Sequence, residues 1–221
     1  MEDNQAAERP ARPMLGRGHI VATALAMLDA RGVDAFSMRK LGGALGADPM
    51  AVYHYFPNKA ALFDAVVEAI YIAIDTTGPV PDAWDEAVAT YLYAARTVMR
   101  AHPGALALIA TRPVNTVPVY ALLEVIAARL ARAGARPTDA IAMVHCLATY
   151  AVGQVLADVG APVGGPEAPP PDPATFDPSV IPTLVAAMEG GWAFDPDAVF
   201  DTGLRAMIAG FGSRYGLADQ T

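Results

Sequence analysis

Apolar positions along this chain recur at the three- and four-residue spacing of helices, and no stretch shows the two-residue alternation of a strand. Val21, Ala24, Leu25 and Leu28 make one stripe and predict a helix from about Gly18 to Ala30, ended by Arg31 and Gly32. Met38, Leu41 and Leu45 make a second, shorter stripe, with Ser37 placed to cap its start and Gly46 just past its end, where a left-handed residue is wanted. Asp48 caps again at once, and Pro49 takes the first position of a third short helix. Pro57 and Asn58 close that helix and begin a fourth, to about Asp75, with Leu62, Val66 and Ile70 on one face. Phe36, Val52 and Phe56 are expected in the core of this small unit.

The remaining pattern is also helical. After a break at Thr76 to Pro81, Asp82 is placed to cap a helix from Ala83 to about Ala101. His102-Pro103-Gly104 interrupts, a short helix runs to about Ala110, and Thr111 to Pro118 is read as a loop. A helix from about Val119 to Ala133 stops at Gly134, and Thr138 is placed to cap a long apolar helix from Asp139 to about Val159. Residues 160–180 are rich in Pro and Gly, carry acids but no Lys or Arg, and are expected to be mobile. Helices from Pro182 to Glu189 and from Asp197 to Tyr215 complete the reading. The fold class is therefore all-α, with a small N-terminal helical domain over 14–60 and a larger one over 61–216.

The segment Ser37 to Lys59, SMRKLGGALGADPMAVYHYFPNK, carries the most specific signal. Two short helices joined by a tight turn form a helix-turn-helix, which holds its second helix out to enter a DNA major groove. The net charge of −8 argues at first against nucleic acid, but its distribution does not. Residues 1–60 hold seven Lys and Arg against six Asp and Glu; residues 61–221 hold eight against seventeen. Arg17, Arg31, Arg39, Lys40 and Lys59 make a local basic surface, and screening acts over roughly 8 Å at physiological salt, so a distant acidic domain need not prevent phosphate contact.

RKLGGALG followed by VYHYFPNKAALFDAV resembles the N-terminal domain of the TetR family of transcriptional regulators. TRP at Thr111 to Pro113, LLEVIAARLARAGA and YAVGQVLAD resemble the regulatory domain of the tetracycline-repressor branch. The resemblance implies a ligand-responsive repressor that binds a pseudo-palindromic operator as a homodimer and is released by a small, hydrophobic effector. It also implies that helices 139–159 and 197–215 form a four-helix bundle with a second copy. Ala148, Ala151 and Gly153 in one helix, and Gly203, Ala206 and Gly210 in the other, are small enough for close packing.

Carried over by motif position, Arg39 is the expected base reader, with Ser37 and Lys40 near the DNA backbone. Pro49, Met50 and Ala51 open the recognition helix and are suited to thymine methyl groups rather than hydrogen bonds. His54 follows, while Tyr53 and Lys59 match family phosphate contacts. The chain departs from the tetracycline repressor at Met38, Pro49 and Met50, which puts a shared operator in doubt.

For the effector, the resemblance points between the fourth helix and those that follow, where an apolar pocket with a few polar groups is expected. Candidates along the first half of that region are Tyr71, Tyr91, Arg96, His102 and Leu108. Thr111, Glu124, His145, Tyr150 and Gln154 complete the set. No metal site and no cofactor are expected: Leu108 replaces the branch's metal-binding histidine, Ala157 stands at its glutamate position beside Asp158, and His19, His54, His102 and His145 lack metal-ligand spacing.

Catalysis is not expected, because there is no G-x-S-x-G elbow and no Gly-rich phosphate loop. Adjacent His145 and Cys146 would diverge on a helix and are read as core residues. The single cysteine, the polar first residues and the lack of about 18 uncharged apolar residues in a row point to a cytoplasmic protein without a membrane partner. An activator, a regulator without a small ligand and a helical enzyme are the rival readings.

Overall fold

The computed structural model describes residues 15–74, 78, 81–113, 115–160, 177 and 179–218. Ten α-helices and one 3-10 turn account for the regular structure, with no strand among the described residues. The helices are α1 Arg17–Arg31, α2 Met38–Leu45, α3 Pro49–Tyr55, α4 Lys59–Ile72 and α5 Trp84–Arg100. After the 3-10 turn Pro103–Ala105 come α6 Leu106–Thr111, α7 Val117–Arg132, α8 Pro137–Val159, α9 Pro182–Glu189 and α10 Pro196–Tyr215. The all-helical expectation and the N-terminal helix-turn-helix therefore hold. The expected polar arm over the first residues, and most of the expected mobile stretch 160–180, lie outside the described residues.

In the N-terminal unit, α1 packs on α2 and α4, and α2 packs on α3. Ile20, Ala24, Leu28, Leu41, Val52, Phe56 and Leu62 are fully buried there. Phe36 closes this core with its ring centroid 5.1 Å from that of Phe63. Leu25, expected in the buried stripe of the first helix, is only half-buried, as is Leu45. In the larger unit, α8 is central and packs on α5, α6, α7 and α10, while α4 packs on α7. An 18-residue window of α8 reaches a mean hydropathy of 1.6, so by length and composition this helix could cross a membrane, contrary to the expectation of no such run. Its buried residues, among them Ala140, Met143, Leu147, Ala151 and Val155, form the centre of the helical core instead.

Three local readings are corrected. Asp82 does not cap α5; Ala83 is the N-cap residue, and no side chain caps that end. Thr138 does not cap α8, because Pro137 already occupies the first turn and Arg136 is the N-cap. His145 and Cys146, read as core, are exposed on α8, because the buried stripe runs through Val144 and Leu147 on the other side of the helix.

Candidate nucleic-acid interface and regulatory interior

The helix-turn-helix is built by three caps in succession. Ser37 Oγ accepts from the Lys40 amide at 3.2 Å, Asp48 Oδ1 from the Met50 amide at 2.8 Å, and Asn58 Oδ1 from the Ala61 amide at 2.8 Å. Between α2 and α3 the chain reverses at Gly46, with φ 61° and ψ 30°, a conformation that favours glycine. The helices meet at Gly42, where a β-carbon would stand 3.1 Å from the backbone N and Cα of Pro49. These contacts fix the direction of α3 relative to α2.

Arg17 ties the far end of α3 to the start of α1. Its guanidinium lies 4.2 Å over the Phe56 ring, and Nη1 donates to the Tyr55 carbonyl at 3.0 Å. The Tyr55 hydroxyl donates in turn to the Leu15 carbonyl at 2.7 Å. With Val52 and Phe56 buried, the open side of this unit carries Arg39 on α2 and Met50, Tyr53 and His54 on α3. Met50 is 64% exposed and presents its apolar side chain to solvent. Pro49, Ala51 and Ser37 are half-buried beside them. Lys40 is exposed, but its ammonium donates to the Ala35 carbonyl at 2.7 Å. Lys59 is half-buried: Nζ donates to the Phe36 carbonyl at 3.2 Å and lies 4.9 Å from the Phe63 ring centroid. α3 itself contains no Lys or Arg, so cationic contact falls to residues around it.

The ten effector candidates are scattered. Arg96 is committed to an ionic cluster: Nη1 is 2.7 Å from Asp197, Nη2 is 3.5 Å from Asp158, and its guanidinium lies 4.8 Å over the Phe200 ring. Arg100 reaches the same two aspartates. Tyr150 stacks on Phe200 and donates to the Phe200 carbonyl at 3.0 Å. His102 Nδ1 pairs with Asp29 at 2.8 Å, and the Thr111 hydroxyl donates to Ala107 within its own helix. Glu124 and His145 are exposed, and Gln154 is half-buried. Tyr71 on α4 and Tyr91 on α5 are brought together. Burial raises both phenols, and Tyr71 raises Tyr91 further. Leu108 is buried at the regulatory core. A cleft of about 550 Å³ between α5 and α10, lined by Trp84, Asp85, Thr90, Tyr93, Arg205 and Ile208, contains none of the ten. Among the described residues, no three His, Cys, Asp or Glu side chains gather as a metal site would require.

Sequence reasoning missed Arg112 as a contact of α4, although TRP was noticed. Its Nε donates to Asp64 at 2.9 Å and its Nη2 to the Ala60 carbonyl at 3.3 Å, both on α4. No local pattern pairs residues 48 positions apart.

The tight turn, the capped short helices and the exposed outer side of α3 define a DNA-binding helix-turn-helix protein with a helical second domain. The pattern of bacterial regulatory proteins of the tetR family matches residues 20–66, and that of the tetracyclin repressor-like C-terminal domain matches 78–215. This chain belongs to the TetR family of bacterial transcriptional regulators. It is 31% identical over 205 residues to the tetracycline repressor protein class A from transposon 1721 of Escherichia coli, covering 88% of this chain and 89% of that one. It is 30% identical over 147 residues to an HTH-type transcriptional regulator of Saccharopolyspora erythraea, covering 66% of this chain and 62% of that relative's length. A possible TetR family regulator from Streptomyces coelicolor A3(2) shares its fold with a TM-score of 0.75 and 26% identity, over 90% of this chain and 99% of that one.

Proposed function

We propose that this chain is a cytoplasmic, ligand-responsive repressor that binds a pseudo-palindromic operator as a homodimer, leaves it when a small hydrophobic effector binds, and has no catalytic role. Residues 14–60 read the DNA, and residues 61–216 bind the effector and dimerise. The observation that carries the reading is the open side of the helix-turn-helix. Arg39 offers a guanidinium for bidentate recognition of guanine, and Met50 offers an apolar surface to a thymine methyl. Ser37, Lys40, Pro49, Ala51, Tyr53, His54 and Lys59 surround them as backbone and shape contacts. Two such units must sit roughly 34–36 Å apart to meet successive major grooves.

The second copy pairs through α8 and α10. Ile141 and Leu156 on α8 are 53% and 39% exposed, and a β-carbon at Gly153 or Gly210 would meet nothing within 4 Å in a single chain. The effector lies inside the larger domain against Tyr71, Tyr91 and Leu108, where two phenols in an apolar setting can hydrogen-bond a mostly hydrophobic compound. An effector that prefers a conformer with differently spaced DNA-reading units lowers DNA affinity by its differential affinity for the two states.

The test is fluorescence anisotropy of the purified protein on the intergenic DNA upstream of its own reading frame, against random DNA at equal salt. Specific binding by the wild type that Arg39→Ala weakens, by about 1–3 kcal/mol for one lost bidentate contact, supports the reading. Equal binding by wild type and Arg39→Ala removes Arg39 as the reader.

A further inference from the structure

The cleft between α5 and α10 lies on the other side of α5 from Tyr91, one of the phenols assigned above to the effector. Tyr93 lines the cleft and Tyr91 does not; two positions apart on a helix, their side chains diverge by about 200°. The cleft's volume of about 550 Å³ falls within the roughly 300–1,000 Å³ usual for small-molecule sites. Three small residues make the room: Ala89 on α5, and Ala209 and Gly212 on α10. Trp84 forms one wall and is 8% exposed, with indole Cζ2 3.3 Å from where a β-carbon on Gly212 would stand. The indole N–H has no hydrogen-bond partner among the described residues. The charges around the cleft are uneven. At one end the Tyr93 hydroxyl donates to Asp201 and Arg205 Nε lies 2.8 Å from the same carboxylate, so that guanidinium already has its counter-ion. At the other end Asp85 and Glu86 stand in the first turn of α5. Asp85 Oδ1 accepts only from the Glu86 amide, at 2.8 Å, and no Lys, Arg or His pairs with either carboxylate among the described residues.

We propose that this cleft is a second small-molecule site, separate from the effector site against Tyr71 and Tyr91, and that it takes an aromatic cation. Charge selects the class. An anion entering the cleft would meet two carboxylates that no cation offsets, and a neutral apolar compound would strip water from them without giving a partner in return. A cation supplies that partner. Indole is also the aromatic side chain that attracts a cation most strongly, and Trp84 lines the same cleft as the two acids. The ring system of the ligand packs between Trp84 and Ile208, where the small residues of both helices leave space. The unpartnered indole N–H and the exposed Thr90 hydroxyl are donors for a polar substituent on that ring.

The test is isothermal titration calorimetry of the full-length protein with 9-aminoacridine, a planar aromatic cation, in the absence of DNA. Anthracene-9-carboxylate, the same three-ring frame with the opposite charge, is the control. One site per subunit is expected for the cation and none for the anion. Asp85→Asn together with Glu86→Gln should weaken the cation roughly tenfold, the worth of two partly exposed ion pairs. Ala209→Phe, which fills the cleft without changing a charge, should abolish binding; should that variant melt early, the charge variant decides. The chain has two tryptophans, so in a Trp192→Phe background Trp84 is the sole indole, and the bound cation should quench its emission. No saturable binding of the cation, equal binding of the anion, or wild-type affinity in the charge variant would overturn the site. So would binding that leaves the Trp84 emission unchanged, because the cation would then sit elsewhere on the molecule. The titration contains no operator, so a wild type that fails to prefer its operator would overturn the repressor reading and leave this result standing.

Discussion

The Tyr150 phenol on α8 rests against Gly203 on α10, where a β-carbon would stand 2.1 Å from the phenol oxygen and 2.6 Å from Cζ. The hydroxyl is held there by the carbonyls of Phe200 at 3.0 Å and Val199 at 3.2 Å, and the ring stacks on Phe200 with centroids 5.6 Å apart. A missing side chain on one helix thus sets how closely the other approaches. Gly203→Ala should displace the ring and break both hydrogen bonds, at a cost of about 1–3 kcal/mol from overpacking. For a chain of this size each kcal/mol corresponds to roughly 2–4 °C in Tm. Differential scanning calorimetry checks this, and an unchanged Tm would mean that Tyr150 repacks without strain.

A second glycine acts on DNA reading. A β-carbon at Gly42 would press on Pro49 at 3.1 Å, where backbone atoms cannot step aside as a flexible side chain can. Gly42→Ala is expected to tilt α3 and to weaken operator binding more than it lowers stability. Anisotropy and thermal melting on the same preparation give the two numbers; equal losses in both would refute a specific effect on the recognition helix.

Acid should loosen α10 from α5. Hydrogen bonds from Arg96 and then Arg100 hold the Asp197 carboxyl below the usual carboxylate range, and the Tyr93 hydroxyl does the same for Asp201. A carboxylate with a depressed folded-state pKa stabilises fully above its unfolded value, about 3.9, and that contribution is lost as pH falls through the lower folded value. The melting temperature should therefore fall as pH drops below about 4. Asp197→Asn and Asp201→Asn together should flatten that fall, and a curve as steep as wild type would show that other carboxylates dominate.

The outer side of α8 should be sensitive to charge. Ile141 is 53% exposed in the single chain, so Ile141→Glu leaves the subunit fold intact while placing a carboxylate in the proposed interface. Sedimentation equilibrium should find monomer for this variant and dimer for wild type. A stable Ile141→Glu dimer would move the interface elsewhere.

The larger features of the molecule were legible in the residues because they depend on neighbours in sequence. Ser37, Asp48 and Asn58 cap helices through bonds to amides two or three positions away, and Gly46 turns the chain by its own backbone freedom. The spacing of Leu41, Val52, Phe56 and Leu62 likewise placed the small core, and with it the exposed side of α3. The interior of the larger domain was not legible in the same way. A polar residue on a long apolar helix can be a ligand contact, an ion-pair partner or a surface group, and its periodicity is the same in each case. Arg96 meets Asp197 from 101 positions away, Tyr150 meets Gly203 from 53, and Arg112 meets Asp64 from 48. Those pairings arise only when helices pack, because burying a charge or a hydroxyl demands whichever partner the packing brings near. Helix identity, turn chemistry and the DNA-reading motif were therefore settled by local sequence, whereas tertiary structure alone decided which polar side chains pair across the packed helices.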